Sequence, residues 1–201
     1  MTAKQNIHSY IDQAFSRPEK ERMLNQRARV IWLTGLSGSG KSTIAHELEK
    51  TLVAKGFFTQ LLDGDNVRDG ISNNLGFSET DRRENIRRIA EVSKLFLDCG
   101  IICINSFISP TKAIRQMAYD IIGRDDVIEI FVNAPLETCE QRDAKGLYQK
   151  ARAGLIKDFT GISSPYEPPE NPDLMLDTGK MSVEECVSAC ADVVMAKVLF
   201  M

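Results

Sequence analysis

Between Gly35 and Thr43 the chain reads GLSGSGKST, directly after the apolar run Val30-Ile31-Trp32-Leu33. The spacing G-x-x-x-x-G-K-[ST] is met by Gly35, Gly40, Lys41 and Ser42. Each residue type in that pattern has a task with phosphate. Glycines let the backbone curl so that successive N–H groups point at phosphate oxygens, and the following helix adds its positive N-terminal end. Lys41 reaches the β- and γ-phosphates of a nucleoside triphosphate, and the Ser42 hydroxyl ligates Mg²⁺. A strand before the loop and a helix after it argue against a chance Gly/Ser turn. Gly35, Leu36, Ser37, Gly38, Ser39, Gly40, Lys41, Ser42 and Thr43 are therefore read as an ATP-binding loop.

The chain lacks the N-K-x-D pattern with which GTPases read guanine, and its third apolar run ends in Asn105-Ser106 instead of an aspartate. The carboxylate that goes with the metal must then come from elsewhere. Asp63, at the end of the second apolar run, is the best placed acid. It is expected to act as general base toward an acceptor hydroxyl and, with Ser42, to hold Mg²⁺. Asp65 is the second choice, as a residue that positions the acceptor. Segments after the second and third strands, rich in Asp, Arg, Asn, Phe and Ser, are expected to line the acceptor pocket.

Apolar patterning supplies the elements that carry these groups. Ile44, Ala45, Leu48, Leu52 and Val53 recur at helical spacing, and Gly56 offers a stop. Strands are expected at Phe57 to Leu62, Ile101 to Ile104, Val127 to Val132 and Leu174 to Leu176. A helix starts near Ser78, with Asp81 three residues on, and carries Ile86, Ile89, Ala90 and Phe96 inward. The last helix opens at Ser182 with Glu185 and buries Val183, Cys186, Val187, Cys190 and Val194. Continuous apolar strands alternating with helices predict an α/β fold of P-loop NTPase type, a mainly parallel sheet with helices on both faces. Ligands in such sheets sit beyond the carboxyl ends of the strands. Residues 1–28 read as a polar arm with a helix-like patch from Ile7 to Phe15, and 29–201 as the P-loop domain. The charged stretch 142–172, with Pro165, Pro168, Pro169 and Pro172, reads as a lid.

Composition sets limits. At 201 residues, 43% hydrophobic and 26% charged, the chain is an ordinary globular domain. A net charge of −3 gives no pull toward nucleic acid or anionic membrane. No apolar stretch approaches the ~18 residues of a membrane span, and Met1 to Asn6 lack the apolar core of a signal peptide. Five cysteines without a CxxC spacing form neither a disulfide framework nor a zinc site. Cys186 and Cys190, four apart, are expected in the core. A reduced, cytoplasmic protein is expected.

Six segments are more specific. LDGDNVR (Leu62 to Arg68), LGFS (Leu75 to Ser78), DRRENIRR (Asp81 to Arg88), SFISP (Ser106 to Pro110), RDAKGLYQKARAG (Arg142 to Gly154) and DFTGISSPYEPP (Asp158 to Pro169) resemble adenylylsulfate kinases. The resemblance runs from about Arg29 to the last helix. It implies transfer of the ATP γ-phosphate to the 3′-hydroxyl of adenosine 5′-phosphosulfate (APS), giving 3′-phosphoadenosine 5′-phosphosulfate (PAPS) and ADP. Such an acceptor needs cations and a stacking surface. Arg68 and Arg82 are the expected anion partners, and Phe77 and Phe159 the expected walls for adenine. Asn85, one turn beyond Arg82, shares its face. Ile108, Lys145, Gly146 and Leu147 complete the substrate set, while Arg142, Lys150 and Arg152 are candidates to meet ATP and the moving charge. Ser109 matches a family position proposed as a phosphoserine intermediate and is counted with Lys41 and Asp63 as catalytic. No His or Lys adjoins it in sequence, so direct in-line transfer is the simpler mechanism. The family also implies a homodimer and allows coupling to ATP sulfurylase.

The run Thr111-Lys112-Ala113-Ile114-Arg115 departs from the family pattern, as does Asn73 where a more basic residue is common. These departures are expected to weaken acceptor affinity or to alter a subunit contact. Two alternatives stay open on sequence: another small-molecule P-loop kinase, and a non-catalytic nucleotide-binding subunit.

Overall fold

The computed structural model describes residues 14–200. Most of the helix-like patch from Ile7 to Phe15 lies outside them, and Ala14 and Phe15 are not helical. In chain order the elements are α1 (Arg17–Leu24), β1 (Val30–Thr34), α2 (Lys41–Ala54), β2 (Thr59–Asp63), α3 (Gly64–Asp69), α4 (Glu79–Asp98), β3 (Ile102–Ser106), α5 (Lys112–Ile122), β4 (Val127–Asn133), α6 (Leu136–Arg142), α7 (Leu147–Arg152), β5 (Leu174–Asp177) and α8 (Val183–Val198), with a short 3₁₀ turn at Arg124–Asp126. The strands pair in the order β2-β3-β1-β4-β5, all parallel.

Burial explains the apolar runs. Every residue of β1 and β3 is buried, as a parallel sheet covered on both faces requires. Alternation sorts their side chains into two cores. Ile31, Leu33, Ile102, Ile104, Ile128 and Ile130 pack with α2 and α8, and Cys186 and Cys190 join them. Val30, Trp32, Cys103 and Val127 face α4 and α5. Each large aliphatic side chain so buried stabilises the fold by about 1.5–3 kcal/mol. A third, smaller core lies under the lid, where Cys139, Tyr148, Ala151 and Phe159 pack with Leu36, Leu136 and Ile162.

The strand boundaries differ from expectation for local reasons. Phe57 N–H closes the turn after α2 by bonding to Leu52 O (3.1 Å), so β2 begins at Thr59 and not at Phe57. Ile101 N–H likewise bonds to Phe96 O (3.0 Å), and β3 starts at Ile102 and runs on to Ser106. Ser182 and Glu185 form the expected capping box. At α4 the Ser78 hydroxyl accepts from Asp81 N–H (3.2 Å), but the Asp81 carboxylate takes the Ser78 hydroxyl instead of its backbone N–H. The short helices α3, α6 and α7 carry no strong sequence signal, whereas α5 has Thr111 as N-cap and Ile114, Ala118 and Ile122 inward.

Beneath the sheet, the segment before β1 is stapled at the edge where strands begin. Gln26, fully buried, donates to Phe58 O (3.0 Å) and Gly100 O (2.8 Å) and accepts from Phe58 N–H (2.8 Å). Arg17 reaches Asp126 and Ala28 O. Gln26→Leu keeps the volume but strands two backbone groups, Phe58 N–H and Gly100 O, while Phe58 O keeps its bond from Ile102 N–H. We predict a loss of about 3 kcal/mol and a Tm lower by roughly 6–12 °C. An unchanged melting temperature by calorimetry would show that the staple is not needed.

Candidate active site

The glycine-rich loop leaves the carboxyl end of β1, and two of its glycines are sterically required. A Cβ on Gly35, at φ +154°, would lie 2.3 Å from Val132 O of the neighbouring strand. Gly40 caps α2 at φ +100°, in the left-handed region. The loop's carbonyls are tied outward: Tyr148 OH donates to Ser37 O (2.9 Å), Arg142 Nη1 to Gly38 O (3.3 Å) and Thr178 Oγ1 to Ser39 O (2.8 Å). Across a planar trans peptide the next N–H points the opposite way. Outward carbonyls therefore aim the following amides into the loop, toward the N-terminus of the 14-residue helix α2. Lys41 is buried and donates to Leu36 O (2.7 Å). Burial pushes its ammonium down to about 8, against the opposing pull of Cys139 and Asp63.

Asp63 ends β2 in register with Ser106 of β3. Its Oδ2 accepts from Ser42 Oγ (2.7 Å), and its Oδ1 caps α3 by accepting from Asp65 N–H (3.1 Å). Ser106 Oγ lies 3.4 Å from Ser42 Oγ. Residues from three separate elements thus meet, and the sequence had brought together only Ser42 and Asp63. Asp65 points instead to the lid, as the ion-pair partner of Lys145.

Arg68, Phe77, Arg82 and Asn85, expected to meet the acceptor, lie on α3, on α4 and in the loop between them. Phe77 is 62% exposed and lies under the Arg68 guanidinium, 4.3 Å from the ring centroid. Arg68 also donates to Gly76 O (2.7 Å). Arg82 donates to Phe77 O (2.9 Å), to Thr160 Oγ1 (2.7 Å) and to Asp158 O, which ties α4 to the lid. Three of its five N–H donors are used so. Burial lowers the pKa of both arginines, with the neighbouring Arg82 charge adding to the effect at Arg68. Asn85 is buried, and its Oδ1 has no hydrogen-bond partner. Phe159 is not open to a ligand on all sides: it is 8% exposed and packs edge-on against Tyr148, centroids 5.0 Å apart. Gly146 caps α7 in the left-handed region, and Leu147 packs on the lid core. Arg152 pairs with Glu140 (2.5 Å) on the lid surface, while Arg142 lies on the loop and donates to Thr178 O (2.6 Å).

Ser109 sits in a buried network. Its hydroxyl accepts from Trp32 Nε1 (3.1 Å) and donates to Thr34 Oγ1 (3.0 Å), which donates to the carbonyl of Ile108 (2.7 Å). Ser109 is 2% exposed and stands at φ +40°. A hydroxyl with both roles taken and no base beside it is built to hold a loop. Thr34, Tyr148 and Thr178 were missed in sequence because each acts through a partner more than 70 residues away.

Comparison with known proteins agrees with this geometry. The family model described as adenylylsulphate kinase matches residues 27–177. The adenylyl-sulfate kinase of Bacteroides thetaiotaomicron is 59% identical over 198 residues, 98% of this chain and 98% of that one. Among solved structures, the Mycobacterium tuberculosis APS kinase in complex with AMPPNP and APS superposes with a TM-score of 0.81 at 46% identity, covering 84% of this chain and 98% of that one. A sugar kinase from Janibacter, at 19% identity and a TM-score of 0.60, shares the fold. Motifs, geometry and relatives agree, and the chain belongs to the adenylylsulfate kinase family.

Proposed function

We infer that the protein transfers the γ-phosphate of ATP to the 3′-hydroxyl of APS, giving PAPS and ADP in sulfate assimilation. The observation that carries this reading is the meeting of Asp63 with Ser42 at 2.7 Å, which brings the end of β2, and with it α3 and Arg68, to the phosphate loop. The M. tuberculosis relative, solved with an ATP analogue and APS, supports the choice of acceptor.

In this reading the inward amides of Gly35 to Ser42 and the Lys41 ammonium hold the triphosphate. Phe77 and Arg68 receive the adenine and its phosphosulfate, and the orphan Oδ1 of Asn85 accepts a hydrogen bond from the ligand. Asp63 orients the 3′-hydroxyl and takes its proton on a carboxylate oxygen as the new P–O bond forms and the bond from the γ-phosphorus to the bridging oxygen breaks, that oxygen leaving on ADP. Positioning and charge neutralisation supply most of the rate. Arg82 closes the lid over the reaction through Asp158 and Thr160. Ser109 stays outside the chemistry, and transfer is direct.

The residues present fit Mg²⁺. A hydroxyl and a carboxylate in contact form the oxygen-only donor set that Mg²⁺ prefers, and it takes its remaining ligands from phosphates and water. Among the described residues no cluster of three or more His, Cys, Asp or Glu could hold a metal without such help. Ser42 and Asp63 would hold the ion, which when bound neutralises charge on the β- and γ-phosphates. We take 29–201 as the catalytic domain and 1–28 as its arm. Unpaired thiols support a cytoplasmic location, and no described helix is long and apolar enough to cross a membrane. Family resemblance supports a homodimer and coupling to ATP sulfurylase.

The direct test is ADP release from Mg-ATP with and without APS, with PAPS identified by mass. ATP binding without acceptor-dependent turnover would reject the reading. Asp63→Asn keeps the shape and loses the base, and kcat should fall at least ~10²-fold; a smaller loss would move the base elsewhere. Ser109→Ala should keep turnover within roughly tenfold, and acid quenching should find no phosphoserine. Phosphate trapped on Ser109 would reverse that conclusion. Arg82→Ala should raise KM for APS more than KM for ATP, and a selective ATP defect would mean that the two sites are exchanged.

A further inference from the structure

Within the run that departs from the family pattern, Arg115 is 3% exposed. Its Nε faces Glu129 Oε1 of β4 at 3.3 Å, and Tyr119 OH donates to the same oxygen (2.9 Å). The other ends of the guanidinium reach two distant segments. Nη1 donates to Ser109 O (2.9 Å) in the loop after β3, and Nη2 to Glu167 O (2.8 Å) where the lid returns to the sheet. Around that fork the two segments are already laced together. Glu167 N–H bonds to Pro110 O (2.8 Å), Lys112 N–H to Glu167 Oε2 (2.7 Å), and Tyr166 OH lies 3.0 Å from Thr34 Oγ1.

We propose that Arg115 is a positioning residue that locks the acceptor loop (Ser106 to Pro110) and the end of the lid (Tyr166-Glu167) into one unit, with Glu129 compensating its charge. Stability alone does not call for such a group, because apolar side chains of similar volume often replace a buried ion pair without loss. A rigid fork of donors does something they cannot: it fixes two carbonyls from different segments at one spacing. Ser109 at φ +40° needs that support, since a non-glycine residue there is strained unless its surroundings over-determine it. The phosphate loop is tied by Tyr148, Arg142 and Thr178 instead, so the device serves the acceptor side alone. For its kinetic consequence the inference rests on the reading of the acceptor given above.

Two variants separate positioning from folding. Arg115→Lys keeps the charge and loses the fork. The triple variant Arg115→Met, Glu129→Leu, Tyr119→Phe removes the charges and the hydroxyl together and fills the space. Hydrogen exchange, read by mass spectrometry without any ligand, tests the coupling itself. In Arg115→Lys, amides of 107–114 and 164–168 should exchange at least about tenfold faster together, with 35–43 unchanged. Loosening of one segment without the other, or of neither, overturns the proposal even if APS proves not to be the acceptor. With APS, both variants should show KM raised about tenfold or more against an ATP KM within roughly twofold. A triple variant that melts like the wild type and keeps the wild-type KM for APS also overturns it, as does an equal rise in both KM values.

Discussion

The site depends on where the carbonyls of a nine-residue loop point. A phosphate cradle needs inward amides, and inward amides need partners for the carbonyls that face away. Here those partners are Tyr148, Arg142 and Thr178. Two of them belong to the lid region and one to the turn after β5. The shape of the phosphate loop is thus not a property of its glycines alone: the glycines permit the curl, and side chains from far along the chain select it.

The lid is bound at both of its ends to opposite halves of the site. Its beginning, through α6 and α7, supports the phosphate loop; its return, at Tyr166 and Glu167, supports the loop after β3. Between them, Arg82 reaches across from α4 to Asp158 and Thr160. The segment also packs a small apolar core of its own, which Leu36 of the phosphate loop joins. The two attachments are separate, so the start of the lid bears on the donor side and its return on the acceptor side.

What was legible in the sequence follows from the range of the interactions. The phosphate loop is a local pattern, and GLSGSGKST declared it. The place of Asp63 at the end of β2 followed from the end of an apolar run, whereas Arg82 and Asn85 entered only through the family resemblance. Long runs such as Val127 to Val132 gave strands close to those observed. The misses share one cause. Phe57 is apolar but serves a turn, because Leu52 O captures its N–H. Phe159 belongs to a core that exists only when Tyr148 arrives beside it. Arg115 read only as part of a departure from a pattern, yet Glu129, fourteen residues on and in another element, pairs with it in the interior.

One consequence concerns the thiols. Cys99 is exposed at the end of α4, whereas Cys103, Cys139, Cys186 and Cys190 are buried in three different places. Cys139 lies in the small core beneath the lid, Cys186 and Cys190 on the buried face of α8, and Cys103 against α4. The molecule therefore carries its own chemical clock of opening. A thiol reagent meets one equivalent in the native state and a second when the lid core loosens. It meets all five only when the sheet and its helices come apart.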